Sequence, residues 1–165
     1  MLTIRQATLA DAEQIATIHV ECWQSAYKNI VTDAFLQNIR KADWISRRTK
    51  QLEANASNTF IAEENGRISG FIIVGKNRGV EKYEGEVYAI YISPNSFRKG
   101  IGKKLFTTGI NHLKNIGFGS SIVWVLKDNP CKSFYISLGG KLTGEKEIKI
   151  GEQILIEEAY CWKKL

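Results

Sequence analysis

Apolar and polar residues alternate over Leu2 to Ala7, LTIRQA, the period of a half-buried strand. The period then changes. Asp11 opens a D-x-x-Q capping signature, and Ile15, Ile18 and Cys22 follow at helical spacing on one side. From Thr32 to about Ala54, charged residues sit between apolar ones at helical spacing, which predicts one or two short helices. TFIAEENGRISGFIIVGK predicts a hairpin, with Phe60 and Ala62 on one strand, a turn at Asn65-Gly66, and a return strand from Ile68 to Val74. A charged connection from Gly75 to Gly85 leads into EVYAIYIS, a further strand that stops at Pro94.

A helix is predicted from about Gly100 to Asn115, with Ile101, Leu105, Ile110 and Leu113 inward and Gly117 at its end. SSIVWVL reads as a buried strand. Asp128-Asn129-Pro130 breaks the chain and opens an amphipathic helix with Phe134, Tyr135 and Leu138, closed by Gly139-Gly140. The remainder reads as two strands around Gly151. The order β-α-α-β-β-β-α-β-α-β-β predicts an α/β domain with a mixed sheet over residues 1–165, without internal repeat or linker.

The chemistry concentrates between Glu86 and Leu105, a strand, a tight turn and a helix start. Gly100 and Gly102 let the backbone approach a ligand, and the first N–H groups of the following helix have no intrahelical acceptor. Such a terminus favours an adjacent negative charge by ~0.3–1 kcal/mol, up to ~2 when partly buried. Arg98, Lys99, Lys103 and Lys104 add positive charge around it. A phosphate-bearing ligand is favoured over an ordinary β-turn-α junction with surface lysines. Neither the dinucleotide fingerprint GxGxxG nor the P-loop GxxxxGK[ST] is present, since Gly100-Ile-Gly102 continues Lys-Lys-Leu105.

Ser96-Phe-Arg-Lys-Gly-Ile-Gly102 resembles the acyl-CoA pyrophosphate loop, Gln/Arg-x-x-Gly-x-Gly/Ala, of the GNAT superfamily of acetyl-CoA-dependent N-acetyltransferases. Asn129-Pro-Cys-Lys-Ser-Phe-Tyr135-Ile-Ser-Leu-Gly139 is similar to that family's second signature, and the element order matches from Leu2 to Leu165. In this register Phe97 occupies the usual Gln/Arg position. Its backbone N–H still serves the loop, and Arg98 is the candidate substitute for the missing polar side chain. The resemblance implies a mostly antiparallel central sheet of six to seven strands flanked by helices, with acetyl-CoA as cosubstrate and no metal. It also implies cofactor-binding roles for Phe97, Arg98, Lys99, Gly100, Ile101, Gly102 and Lys103, with the Ile90 N–H polarising the thioester carbonyl. Backbone groups near Ile92 would pair with the pantetheine arm, which Asn129 would contact.

An amine attacks a thioester only when neutral, and a lysine-like amine with a pKa of ~10.4 is deprotonated in roughly one molecule in 2500 at pH 7. A base is needed. Glu86 stands where the resemblance implies the general base, although a surface glutamate or a salt-bridge partner would also explain it. His19 is a weaker contender, packed on the first helix. Tyr135 is the implied general acid toward the CoA thiolate, against the alternative of a core tyrosine bonded to a backbone carbonyl. His19, Trp23 and Tyr27 recur every four residues and read either as a wall of the acceptor pocket or as a helix face packed into the core. Glu81, Glu84 and Glu86 could form an acidic mouth for an ammonium. No cysteine stands in a nucleophile constellation, so direct transfer in a ternary complex is expected. The acceptor class is a primary amine on a small molecule such as an amino sugar, polyamine or amino acid, or on a peptide or protein. The alternative is a non-catalytic acyl-CoA-binding or regulatory module.

Composition adds bounds. With 44% hydrophobic and 24% charged residues the chain is of ordinary globular type, which excludes disordered and collagen-like classes. Cys22, Cys131 and Cys161 form no CxxC pair and read as free thiols rather than a disulfide framework or zinc site. Neither a basic-then-apolar leader nor a long apolar run is present, so a cytoplasmic protein without membrane or nucleic-acid partners is expected, and a homodimer would fit the family. The 23 basic and 17 acidic residues leave a net charge of +6. Asn95 to Lys127 contains Arg98, Lys99, Lys103, Lys104, Lys114 and Lys127 and no acid. The excess therefore sits at and after the turn, as a polyanionic ligand requires.

Overall fold

The computed structural model describes all residues except 56, 57, 80 and 81, so Glu81 of the expected acidic mouth lies outside the described residues. Strand β1 (Leu2–Gln6) leads through a short 3-10 turn to α1 (Ala12–Ala26), followed by α2 (Asp33–Gln37) and α3 (Lys41–Asn55). Thr32–Ala54 thus holds two helices. Strands β2 (Thr59–Glu64) and β3 (Arg67–Lys76) form the expected hairpin, and β4 (Gly85–Ile92) precedes α4 (Ile101–Asn115). Strand β5 (Ser121–Leu126), α5 (Lys132–Ser137), β6 (Lys141–Ile150) and β7 (Gln153–Trp162) complete the order.

The capping signature at Asp11 works one step upstream of its expected place. Asp11 itself is helical, at φ −85°. Its carboxylate instead turns back to accept hydrogen bonds from the Thr8 N–H at 2.7 Å and the Thr8 hydroxyl at 3.0 Å. Arg5 of β1 donates to both oxygens of the same carboxylate, at 2.8 and 2.9 Å. The first strand and the first helix are thereby tied by one buried acid.

The seven strands form one sheet in the order β1-β2-β3-β4-β5-β7-β6, antiparallel everywhere except between β4 and β5. The sheet is covered on both faces. Ile101, Leu105, Phe106 and Leu113 of α4 pack with Ile72, Val74 and Val87 on one face, and each such side chain contributes ~1.5–3 kcal/mol relative to exposure. Ile15, Ile18 and Cys22 of α1 and Leu52 of α3 pack with Ile61, Phe71 and Ile73 on the other. These are the two sides that the period-two pattern of β3 had to serve.

Two irregularities open the sheet. Ile73 pairs with Ala89 and Val74 with Val87, which leaves Tyr88 as an extra residue on β4. This bulge shifts the alternation by one. Val87 faces α4, Tyr88, Ala89 and Tyr91 pack toward α1, and Ile90 and Ile92 return to the α4 side. The parallel ladder to β5 spans only Gly85↔Ser121, Glu86↔Ile122 and Val87↔Val123. Beyond the bulge the two strands diverge.

Candidate active site

After β4, a 3-10 turn at Pro94–Ser96 delivers the chain to the loop that begins α4. Arg98 and Gly100 are both left-handed, with φ of 60° and 74°. Among the described residues, no backbone N–H from Arg98 to Lys103 donates to a protein acceptor, and Lys104 makes the first helical bond, to Gly100, at 3.2 Å. A run of donors of this length at a helix N-terminus forms a concave anion cradle. Gly102 is held against α5, where an added Cβ would stand 3.3 Å from Phe134. Phe97 projects outward, 53% exposed, and its N–H points at the Pro94 carbonyl rather than into the cradle.

The divergence of β4 and β5 leaves a second row of donors and acceptors. Ser93 N–H bonds the Ser69 carbonyl of β3. By the alternation of an antiparallel ladder, Ile90 and Ile92 turn their backbone groups the other way, into the gap toward β5. The Ile92 carbonyl accepts the Cys22 thiol at 3.1 Å, so that thiol is engaged, and burial pushes its pKa up to about 12.

A cavity of about 950 Å³ runs from this cradle through the gap. Gly100, Ile101, Gly102 and Lys103 line one end, and Ile90, Ile92, Asn129 and Tyr135 line the middle. Asn129 is buried, and its Oδ1 accepts the Cys131 N–H at 2.9 Å, which fixes the turn before α5. The Tyr135 hydroxyl has no hydrogen-bond partner among the described residues, unlike a core tyrosine tied to a carbonyl. Burial raises its pKa well above the ordinary phenol, so it stays protonated at neutral pH.

The far end is aromatic. Trp23 donates its indole N–H to the Tyr91 hydroxyl at 3.1 Å, and the Tyr27 hydroxyl lies 3.4 Å from the same oxygen. All three expected wall residues, His19, Trp23 and Tyr27, reach the cavity, and Trp23 and Tyr27 also pack on a core cluster around Val31, Leu36 and Ile150. His19 is buried among Trp44, Phe71 and Tyr91, with Nδ1 unpartnered. Desolvation, with smaller contributions from Arg48 and Arg47, pushes its pKa down to about 3, which makes it a poor base for an ammonium. The β6–β7 turn closes this end against α2, with Gly151 on Phe35 and the Gln153 side chain accepting the Thr32 N–H at 2.7 Å.

The structure keeps the two expected carboxylates away from the cavity. Glu86 is buried beside it but does not line it, because Arg78 takes its carboxylate through the backbone N–H at 2.9 Å, Nε at 3.3 Å and Nη2 at 2.7 Å. The Arg78 guanidinium is in turn stacked over the Tyr88 ring at 4.0 Å. Glu84 is exposed at the other end of β4, where its carboxylate accepts the Gly119 N–H and its own N–H donates to Ser120. The acid that does line the cavity is Glu157 on β7, with its side chain 16% exposed. A signal for it exists in the sequence. Period-two reading of QILIEEAYCW puts Leu155, Glu157, Ala159 and Cys161 on one face. Among the described residues, no group of three or more His, Cys, Asp or Glu side chains is placed to hold a metal ion, and no helix is long and apolar enough to cross a membrane.

Comparison with known proteins adds a lineage to this geometry. The sequence profile of the acetyltransferase (GNAT) family matches residues 12–139. The uncharacterized N-acetyltransferase YuaI of Bacillus subtilis is 32% identical over 171 residues, covering 100% of this chain and 95% of that one. The mycothiol acetyltransferase of Thermomonospora curvata is 27% identical over 81% of this chain, which spans 46% of that longer relative. In fold, the chain superposes on the PaiA N-acetyltransferase of Thermoplasma acidophilum, solved with coenzyme A, at a TM-score of 0.76 and 20% identity, covering 97% of this chain and 99% of that one. It also superposes on YncA of Salmonella typhimurium, solved with acetyl-CoA, at a TM-score of 0.73 and 22% identity, covering 98% and 92% respectively.

Proposed function

The chain belongs to the GNAT family of acetyltransferases, and on that premise we propose that it moves an acetyl group from acetyl-CoA to a primary amine by direct transfer with both substrates bound. One observation carries the reading. The unpaired N–H groups from Arg98 to Lys103 open onto the same cavity as the unpartnered hydroxyl of Tyr135.

In this reading the cradle takes the pyrophosphate of CoA, with Arg98, Lys99 and Lys103 adding charge around it. The pantetheine arm lies in the gap between β4 and β5 and pairs with backbone groups of Ile90 and Ile92 as an added strand would, passing Asn129. The Ile90 N–H faces the thioester carbonyl and stabilises the oxyanion as charge develops on it. The neutral amine attacks the carbonyl carbon, a C–N bond forms and the C–S bond breaks. Tyr135 gives its proton to the departing sulfur, and the surplus N–H proton of the adduct restores the phenol, which leaves one N–H on the product amide. Trp23 and Tyr27 wall the acceptor end.

The test is titration calorimetry with acetyl-CoA, followed by thiol release in a panel of primary amines. Saturable binding with amine-dependent thiol release is the expected result. Absence of acetyl-CoA binding at hundreds of micromolar would remove the reading altogether.

A further inference from the structure

We infer that Glu157, on β7, is the carboxylate that meets the acceptor ammonium and removes its proton. This rests on the acetyl-transfer reading and deepens it by naming the base.

The geometry is one of access. Direct transfer needs a carboxylate that reaches the substrate, and Glu157 is the one acid among the described residues lining the cavity. Glu86, on β4 across the intervening β5, is spent on three bonds to Arg78. A carboxylate so engaged has its lone pairs committed to Arg78 and turned from the cavity. Glu157 has no such grip. Its cross-strand partner Lys146 on β6 approaches only to 3.8 Å, and that ammonium is shared with the Trp124 ring, also at 3.8 Å.

The charged and titratable groups facing Glu157 come from four elements. Lys146 stands on β6, Glu86 on β4, Arg78 on the segment after β3, and Tyr27 follows α1. Burial raises the Glu157 carboxyl above its ordinary range, the Glu86 charge adds to this, and Lys146 and Arg78 oppose it. The balance moves Glu157 toward the pH at which enzymes work, as a base requires. Aromatic walls at Trp23, Tyr27 and Tyr91 suit a cation waiting to be deprotonated. The proton balance closes. Glu157 takes one proton from the ammonium and returns it to solvent after the product leaves, while the second N–H proton ends on sulfur through Tyr135.

The experiment compares wild type, Glu157→Gln and Glu86→Gln with tyramine and spermidine as probes, across pH 5 to 9. Glu157→Gln is expected to lose ~10²- to 10⁴-fold in kcat/KM for amine, to lose the acidic limb of the profile, and to keep its affinity for acetyl-CoA. Glu86→Gln is expected to keep that limb. A second readout does not depend on turnover: the ¹³C resonance of the Glu157 carboxyl, in the CoA-bound protein, should titrate at lower pH when the amine is added. Retention of the acidic limb in Glu157→Gln, its loss in Glu86→Gln, or an amine-insensitive Glu157 resonance would each overturn the assignment. Failure of wild type to bind acetyl-CoA is a separate result and strikes the function reading instead.

Discussion

The Phe134 ring lies 3.3 Å from the position that a methyl group on Gly102 would occupy. The start of α4 and the start of α5, which carry the two signature segments, therefore meet through a missing side chain. Gly102→Val must push the helices apart or turn Phe134, and overpacking of this kind costs ~1–3 kcal/mol. Because the same turn holds the unpaired N–H groups, the variant should bind acetyl-CoA at least tenfold more weakly while remaining folded. Calorimetry beside a thermal melt separates the two effects.

Cofactor affinity should depend on salt. Arg98, Lys99, Lys103 and Lys104 surround the cradle with no acid between Asn95 and Lys127. Raising ionic strength from about 0.1 to 1 M shortens the screening length from ~10 to ~3 Å. The acetyl-CoA dissociation constant should rise several-fold over that range, and Lys103→Ala should flatten the dependence. A dissociation constant independent of salt in both proteins would mean that the backbone alone holds the phosphates.

Tyr135→Phe should preserve acetyl-CoA affinity within about twofold and lower kcat by ~10²–10⁴ if the phenol protonates the leaving sulfur. Since burial lifts the pKa of this hydroxyl above the ordinary phenol, no loss of rate below pH 10 should trace to its ionisation. Steady-state kinetics of both proteins over pH 7 to 10 provides the comparison.

Stability on the acid side should depend on Asp11. The Arg5 guanidinium, opposed by desolvation and helped by Thr8, holds its carboxyl below the ordinary value of 3.8. A depressed native pKa contributes stability that is fully present above the unfolded value and is lost as pH falls through the native one. Asp11→Asn should therefore unfold more easily at pH 7 by ~1–3 kcal/mol, toward the lower end because Arg5 stays partly exposed to solvent. The gap to wild type should narrow below about pH 3.8. Urea unfolding at pH 7 and pH 3 measures it.

The cradle end of the cavity was legible because it is built from local sequence. A strand, a left-handed turn and a helix N-terminus lie within a few residues of one another, and Gly100, Gly102 and the adjacent bases mark them directly. The other end of the cavity is not local. Glu86 sits at the expected place on β4, yet what decides its use is Arg78, on a segment whose hydrogen bonds no periodicity reveals. Glu157 reaches the cavity only because β7 inserts between β5 and β6, an arrangement that strand patterning alone does not order. The bulge at Tyr88, which aims Ile90 and Ile92 into the gap, is a one-residue slip between paired strands and leaves no compositional trace. The Asp11 cap was read on the right residue but for the wrong partner, since its bonds run backward to Thr8 and Arg5.

The contact of Gly151 with Phe35 joins the C-terminal hairpin to a helix near the start of the chain. The matched family profile ends at residue 139, two residues before that hairpin begins. The hairpin that carries Glu157 thus lies outside the segment that the family profile matches, whereas the turn from Arg98 to Lys103 and the Tyr135 hydroxyl lie inside it. A chimera carrying the hairpin of a relative should therefore keep its stability only if the α2 surface beneath it, at Thr32 and Phe35, is transplanted as well.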